Sequence, residues 1–279
     1  MKKTTVQLSQ YAAAYLECGA KDNPALLFLH GFLGESSVWC PLMDRLADRY
    51  HCIALDLLGF GGSSKPQLKY TIWHQTAFVS EFIAALKLTN VTLIGHSYGG
   101  WTSSAFAIDQ ANMCLLSNLV LIARAGIRVD SFVGRYNYMR PILWETPVVD
   151  WVLAGLKPIA RVAGQQKTYD QVAMARREFG KQPVAKSFIV DRLRPEDAID
   201  TVEKEIHKIS VPTLVIAGAQ DTTIPLWHCE TYGQGVPGAT FEVLPEADHD
   251  LIRTECDRIS NLIASFLNHA LNHGMEKEG

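Results

Sequence analysis

Short apolar runs alternate with amphipathic helical patterns along most of this sequence of 279 residues. Continuously apolar runs of this kind are typical of strands that are buried on both faces of a parallel sheet. The runs are ALLFLHG (25–31), YHCIALDLLG (50–59), VTLIGHS (91–97), LSNLVLIAR (116–124), VPTLVIAGAQD (211–221) and ATFEVLPEADH (239–249). Strands that alternate with helices predict an α/β fold with a doubly wound, mostly parallel sheet.

Helical patterns lie between the runs, and the chain begins with a different signal. The helical segments are ESSVWCPLMDRLADRY (35–50), IWHQTAFVSEFIAALKL (72–88) and ECDRISNLIASFLNHAL (255–271). We expect Ser36 or Ser37 to be the N-cap of the first of these helices. The N-terminal stretch TVQLSQYAAAYLECG predicts an antiparallel hairpin at the edge of the sheet.

The alternation fails between about residues 126 and 208, where no strand-like run of comparable strength occurs. This segment contains several short helical stretches, and it contains Pro141, Pro147, Pro158, Pro183 and Pro195. We therefore predict a core formed by residues 1–124 and 209–279, with residues 125–208 inserted between the two parts.

The junction VTLIGHSYGGWTSSAF (91–106) places Ser97 between a buried strand and a helix. A sharp turn at that point requires backbone conformations and close approaches that a Cβ atom would oppose, and Gly95, Gly99 and Gly100 supply them. Such a turn lifts a hydroxyl out of the sheet and directs the first N–H groups of the helix to the same point. The pattern predicts that Ser97 is a nucleophile.

A serine nucleophile needs a base within hydrogen-bond reach and a carboxylate that orients the base. Asp221 follows one predicted strand and His249 follows the next, so both lie in loops at the edge of the sheet where Ser97 lies. The chain order is serine, aspartate, histidine. Asp248 and Asp250 also flank His249, but they are too close to it in sequence to orient its ring easily.

Two backbone N–H groups should bind the oxyanion that forms when the serine attacks a carbonyl. The sequence predicts Tyr98, directly after the nucleophile, and Phe32, in the loop HGFLG. We expect His30 to brace that loop and His96 to point away from Ser97 into the sheet. The glycine-rich loop DLLGFGGSS (56–64) has no lysine at the place that phosphate binding requires, so we interpret it as a turn beside the site.

Composition excludes several other classes of protein. The net charge of −3 argues against bulk nucleic-acid binding, and no metal-ligand spacing or cofactor motif occurs, so we expect neither a metal nor a cofactor. Six scattered cysteines without a C-x-x-C pair are typical of free thiols in a reducing compartment. The sequence shows no signal peptide and no apolar stretch long enough to span a membrane, so we expect a cytoplasmic protein.

Charge is unevenly distributed along the chain. Residues 124–194 contain 13 Lys and Arg against 6 Asp and Glu, a net charge of +7, whereas the rest of the chain carries −10. The stretch 138–164 is rich in Trp, Leu, Val and Ile. We therefore expect a preference for apolar acyl or alcohol groups, and a weak contact with anionic membrane surfaces that depends on Arg176, Arg177 and Lys181.

With these features, the chain resembles the α/β-hydrolase fold superfamily. The motifs that carry the resemblance are FLHGFLGESSVW, ALDLLGFGGSS, LIGHSYGG, PTLVIAGAQD and ADHDL, and the resemblance covers residues 5–124 and 209–275. In that family an insertion at this position is a helical cap over the active site, which implies a cap formed by residues 125–208. The matched positions imply Ser97 as the nucleophile, Asp221 as the acid, His249 as the base, and Phe32 and Tyr98 as oxyanion donors.

The resemblance implies a serine hydrolase that cleaves carboxylic esters through an acyl-enzyme, and the apolar stretch 138–164 predicts that these esters are apolar. Haloalkane dehalogenases and soluble epoxide hydrolases of this fold use an aspartate nucleophile, which this chain replaces with Ser97. Two alternatives stay open. One is a carbon–carbon bond hydrolase or an aminopeptidase that uses the same three residues. The other is a non-catalytic ligand receptor on the same fold. The oligomeric state is not predicted.

Overall fold

The computed structural model describes residues 1–128, 140–144, 146–179, 182–188 and 200–275. The chain divides into two compact units. Unit 1 contains Met1–Ser64, Thr71–Ile127 and Thr201–Gly279, and unit 2 contains Lys65–Tyr70 and Arg128–Asp200.

Unit 1 is built on an eight-stranded sheet with the strand order β1-β2-β4-β3-β5-β6-β7-β8. The strands are β1 (Lys3–Gln7), β2 (Ala12–Cys18), β3 (Ala25–Leu29), β4 (His51–Leu55), β5 (Val91–His96), β6 (Leu116–Ile122), β7 (Thr213–Gly218) and β8 (Thr240–Leu244). The β1–β2 and β2–β4 pairs are antiparallel, and the other pairs are parallel. This topology confirms the predicted α/β fold and the N-terminal edge hairpin.

Helices cover the sheet because its central strands are apolar on both faces. Every residue of β3, β4, β5 and β7 is buried. The helices of unit 1 are α1 (Cys40–Leu46), α2 (Ile72–Ala85), α3 (Tyr98–Ile108), α4 (Gln110–Met113), α9 (Leu226–Gly235), α10 (Leu251–Thr254) and α11 (Cys256–Met275). Apolar side chains of α1 and α11 join those of the strands in one buried cluster, which includes Phe28, Trp39, Ile94 and Ile263. The carboxyl ends of β5, β7 and β8 are thereby fixed at one edge.

The expected N-cap at Ser36 or Ser37 is wrong. A 3₁₀ turn (Ser36–Trp39) precedes α1. Glu35 is the N-cap of this turn and Trp39 is the N-cap of α1, and neither makes a side-chain cap hydrogen bond. The Ser36 backbone N–H instead donates to Asp56 Oδ1 at 2.6 Å. The Ser36 N–H at the start of this turn is thus satisfied by the carboxylate of Asp56, 20 positions away in sequence, and not by a neighbouring side chain.

In its described part, unit 2 combines the irregular segment Lys65–Tyr70 with helices. It contains α5 (Arg140–Leu143), α6 (Pro147–Val162), α7 (Gln166–Phe179) and α8 (Pro183–Lys186). Arg176 of α7 holds this unit together, because its guanidinium pairs with Asp150 of α6 at 2.5 Å and donates to the carbonyl groups of Ile142, Trp144 and Thr146.

Two global features of the sequence can be compared with the structure. All six cysteines lie in the described residues and are free, and Cys52, Cys229 and Cys256 are buried. None of the described helices is both long enough and apolar enough to cross a membrane.

Candidate active site

Ser97 lies in a strained turn between β5 and α3. Its φ of 53° and ψ of −114° are unfavourable for a residue with a side chain. A Cβ atom at Gly95 would collide with the Gly99 carbonyl oxygen, and one at Gly99 would collide with the Leu29 carbonyl oxygen. The two glycines therefore allow the close packing of strand, turn and helix that holds Ser97 in this conformation.

Three side chains that the sequence places far apart meet at the edge of the sheet. Ser97 Oγ lies 3.0 Å from His249 Nε2, and His249 Nδ1 lies 2.7 Å from Asp221 Oδ2. Ser97 comes directly after β5, and Asp221 and His249 lie in the loops that follow β7 and β8, so each of the three residues lies beyond the carboxyl end of a parallel strand. This arrangement can remove a proton from the serine hydroxyl and stabilise the histidine when it becomes charged.

Asp221 is fixed by its own backbone contacts. Its Oδ1 accepts hydrogen bonds from the backbone N–H groups of Thr223 and Ile224, each at 2.8 Å, which leaves Oδ2 for His249. The competing carboxylates are engaged elsewhere. Asp248 accepts from the Asp250 backbone N–H, and Asp250 pairs with Arg253.

His96 packs against His249, which the sequence did not indicate. Its Nε2–H donates to the His249 backbone carbonyl at 2.9 Å, and the two ring centroids are 4.9 Å apart. The ring is buried, and burial, followed by the neighbouring His249 charge, lowers the pKa of His96 to about 4. A neutral His96 therefore anchors the loop that carries His249.

We expect His96→Leu to lower kcat about 10- to 100-fold with little change in KM, because a small displacement of a reacting group has a large effect on rate. His96→Gln keeps an N–H donor near the Nε2 position and should restore most of the activity. Steady-state kinetics and thermal unfolding of both variants will separate positioning from stability. A leucine variant with the kcat of the wild type would show that His96 does not position His249.

Acid should destabilise this protein partly through buried histidines. Burial, followed by the Arg124 charge, also lowers the pKa of His228 to about 4. An unfolded histidine titrates near pH 6.5, so between about pH 6.5 and 4 the unfolded state binds protons that the folded state does not. The free energy of unfolding should therefore fall as pH falls through this window, by at most about 3 kcal/mol per histidine.

Denaturant unfolding of the wild type and of His96→Gln between about pH 7 and 4 will test this effect. The variant should lose less stability on acidification than the wild type. Identical slopes would mean that His96 is not the residue that resists protonation.

The predicted oxyanion donors lie next to the serine turn. A Cβ atom on Gly31 would be 3.3 Å from Ser97 Cβ, so the backbone at Gly31 packs directly against Ser97. Tyr98 begins α3, and the Phe32 and Tyr98 rings are 5.9 Å apart between centroids. The Phe32 loop and the first turn of α3 are therefore neighbours at Ser97.

The hydrogen bonds of the His30 ring to other described residues join its own loop to the loop that follows β4. Its Nδ1–H donates to the Gly31 carbonyl at 2.8 Å, and its Nε2 accepts from the Leu57 backbone N–H at 3.0 Å. Burial lowers the pKa of His30. Both nitrogens of a neutral ring are used to connect two loops, which is the bracing role that we expected.

The glycine-rich loop (56–64) wraps around an internal carboxylate. Asp56 is buried and accepts from the backbone N–H groups of Ser36 and Gly62, and Lys3 Nζ lies 3.0 Å from it. Burial alone would raise the pKa of Asp56, but these hydrogen bonds and Lys3 lower it overall. A Cβ atom on Gly61, which has a φ of +48°, would collide with this carboxylate. The loop therefore encloses Asp56.

Arg124 is buried beside the serine turn, two residues after β6. Its guanidinium carbon lies 3.3 Å from the centroid of the Tyr232 ring, and the Ala125 backbone N–H donates to the Ser97 carbonyl at 3.0 Å. Within the residues that the structure describes, its three guanidinium nitrogens have no hydrogen-bond acceptor. Burial lowers its pKa, and stacking on the aromatic ring compensates part of the desolvation cost. Only the structure reveals this burial.

Among the described residues, no group of three or more His, Cys, Asp or Glu side chains could hold a metal ion. A cavity of about 490 Å³ lies in unit 2, lined by residues that include Leu153, Tyr169 and Arg176. Ser97, Asp221 and His249 are not among the residues that line it.

Comparison with known proteins places these observations in context. Residues 26–261 match the profile described as "Alpha/beta hydrolase family". A haloalkane dehalogenase of Mesorhizobium japonicum is 32% identical over an alignment of 284 positions, which covers 95% of this chain and 91% of that protein. The 2-hydroxy-6-oxo-6-(2'-aminophenyl)hexa-2,4-dienoic acid hydrolase of Metapseudomonas resinovorans is 26% identical, over 91% of this chain and 86% of that protein.

Solved structures show the same fold at lower sequence identity. A hydrolase from Pseudomonas aeruginosa PA01 superposes with a TM-score of 0.74 and 21% identity, covering 95% of this chain and 98% of that one.

Proposed function

Because the chain belongs to the alpha/beta hydrolase family, we propose that it is a serine hydrolase that cleaves carboxylic ester bonds. The observation that carries this proposal is the geometry at Ser97, whose Oγ is 3.0 Å from His249 Nε2 while Asp221 holds His249 Nδ1 at 2.7 Å. The family acts on small molecules, and a carboxylic ester is the simplest substrate with which this set of groups can react.

The proposed reaction has two halves. In the first, His249 takes the proton of Ser97 Oγ as the oxygen attacks the ester carbonyl, and Asp221 stabilises the charged imidazole. The backbone N–H groups of Phe32 and Tyr98 bind the oxyanion. His249 then protonates the leaving alcohol, and an acyl group stays on Ser97. In the second half, His249 activates a water molecule that releases the acid.

The chemistry of Ser97 argues against dehalogenation, although the relative from Mesorhizobium japonicum is a haloalkane dehalogenase. Displacement of a halide by a serine oxygen would form an alkyl ether. Water attacks a covalent intermediate at a carbonyl carbon, which an aspartyl ester provides and a seryl ether does not. Ser97 would therefore be alkylated once and would not turn over.

Carbon–carbon bond hydrolysis is the second candidate, and it is favoured by the Metapseudomonas resinovorans relative, whose name describes a dienoic acid substrate. The same three residues could serve that reaction or the hydrolysis of a peptide next to a terminal amine. A basic insertion is better suited to an acidic substrate than to an amine, so the aminopeptidase is the weaker variant of this candidate.

A panel of nitrophenyl esters with graded acyl length will test the main proposal. We expect turnover, with medium or long acyl groups preferred over acetate, because residues 138–164 include apolar side chains such as Leu143 and Leu153, which line the cavity of unit 2. We propose that residues 125–208 act as a cap and supply this preference. A vinylogous keto acid, tested alongside, will identify the second candidate if it alone is cleaved. Binding without turnover of any ester would indicate a receptor, and fastest turnover on acetate would refute the apolar preference.

A further inference from the structure

The α6 helix presents an apolar face to solvent. Trp151 is 70% exposed and Val162 is 91% exposed. Four more apolar residues are 45% to 60% exposed, namely Val148, Val152, Leu156 and Ile159. Their spacing places all six on one side of the helix. Monomeric proteins rarely expose continuous apolar patches of more than a few hundred Å² without a binding role.

The opposite side of α6 is already used within unit 2. Asp150 pairs with Arg176 of α7, and Arg176 is bound in turn to three carbonyl groups. Leu153 and Ala154 line the cavity of unit 2 together with Tyr169 of α7. The surface helix of a globular protein usually turns its apolar stripe inward. Here the helix is fixed to its neighbour by the other side, and the apolar stripe remains exposed.

The polar side of α6 carries basic residues, which suit an anionic surface. The structure describes every residue of α6, and Asp150 is the single acidic residue among them. Its charge is neutralised by Arg176. Lys157 and Arg161 of α6 and Lys167 of α7 are exposed. Lys157 and Arg161 lie on the side of α6 opposite to the apolar face, which is the distribution of an amphipathic helix that lies in the surface of an anionic bilayer.

We propose that α6 is a membrane-docking helix, which lies in the surface of an anionic lipid bilayer with its apolar face among the acyl chains. An amphipathic helix with tryptophan on the apolar face and basic residues on the polar face is suited to this position. The sequence directed this contact to Arg176, Arg177 and Lys181. We now assign the contact to α6, because Arg176 is paired with Asp150 inside unit 2 and Lys181 lies outside the described residues. The inference concerns where the protein works and does not depend on which bond it cleaves.

Sedimentation with lipid vesicles will test this docking. The parent protein is the full chain with Ser97→Ala, so that lipid hydrolysis cannot interfere. The vesicles consist of phosphatidylcholine alone or of equal parts of phosphatidylcholine and phosphatidylglycerol. Adding Trp151→Ser and Ile159→Ser should weaken binding to the mixed vesicles about 100-fold, because two apolar side chains no longer enter the bilayer. Adding Lys157→Gln and Arg161→Gln should instead reduce the preference for the mixed vesicles about 20- to 30-fold.

A matched control uses an exposed tryptophan in unit 1. Trp73 on α2 is 46% exposed, and Trp73→Ser should leave vesicle binding unchanged. Circular dichroism and thermal unfolding will show that each variant is folded. Failure of the parent protein to bind mixed vesicles, or equal binding by the Trp151 and Ile159 variant, would overturn the proposal.

A dimer that forms without lipid and dissociates in the Trp151 and Ile159 variant would also overturn it, because a second copy would then cover the face. Hydrolysis of a water-soluble nitrophenyl ester by the same surface variants with Ser97 intact reports the proposed function separately. Loss of membrane docking and failure of the ester proposal can therefore be distinguished.

Discussion

Ser97→Ala should lower kcat for an activated nitrophenyl ester by about 10⁴- to 10⁶-fold and leave thermal stability nearly unchanged. The variant removes Ser97 Oγ, which lies 3.0 Å from His249 Nε2, and it keeps the Cβ atom that the turn already accommodates. Residual turnover should come from the oxyanion donors and from substrate binding alone.

A matched control for this variant lies on the following helix. Ser103 of α3 is buried, and its hydroxyl donates to the Gly99 carbonyl at 2.8 Å without contact to His249 among its hydrogen bonds. Ser103→Ala should therefore keep most of the activity. Retention of near-wild-type turnover by Ser97→Ala, in protein freed of contaminating hydrolases, would remove Ser97 as the nucleophile.

Asp221→Asn should lower kcat by about 10⁴-fold while substrate binding is retained. The amide oxygen should take the Oδ1 position, where two backbone N–H groups donate to Asp221. The amide NH₂ group then faces His249 Nδ1 and forces it to accept a hydrogen bond. The proton of the neutral ring must move to Nε2, which can no longer accept the proton of Ser97.

Asp248→Asn is the matched control for the carboxylate. Asp248 precedes His249 directly, but its Oδ1 accepts from the Asp250 backbone N–H at 2.9 Å, and an asparagine can do the same. We expect steady-state kinetics close to those of the wild type. A large loss in Asp248→Asn together with a small loss in Asp221→Asn would show that the wrong carboxylate has been chosen.

The sequence could predict the fold because its signals are local and repeated. Each buried strand corresponds to a short apolar run in the sequence. The helical patterns between these runs indicate that the strands are parallel. Ser97, Asp221 and His249 could be selected for a related reason. Each follows a strand of the same sheet, and parallel strands present their carboxyl ends at one edge.

The contacts that support the site could not be predicted in the same way. His96 is next to Ser97 in sequence, yet its partner is the carbonyl of His249, 153 positions away. Asp56 binds backbone N–H groups of two separate loops, and Arg124 stacks on Tyr232 of α9. No spacing rule reports such contacts, because they depend on how distant elements pack. The expected N-cap at Ser36 or Ser37 is wrong for the same reason, because Asp56 binds the Ser36 backbone N–H from a distant loop.

The absence of strand signals predicts the insertion. Its composition does not show which of its charged and apolar side chains are exposed. A count of +7 over residues 124–194 includes Arg124, which is buried, and Arg176, which is paired with Asp150. The apolar pattern of α6 is visible in the sequence, but only packing shows which side is exposed. The ordinary rule for a surface helix would have turned that side inward.

The central claim is that Ser97 carries the covalent step, and fluorophosphonate labelling followed by peptide mass mapping tests it most directly. The reagent reacts with a serine that an adjacent base has activated. We predict one label per chain on the peptide that contains Ser97, loss of esterase activity in proportion to labelling, and no label in Ser97→Ala. Labelling of a different residue, or equal labelling of Ser97→Ala, would contradict the account.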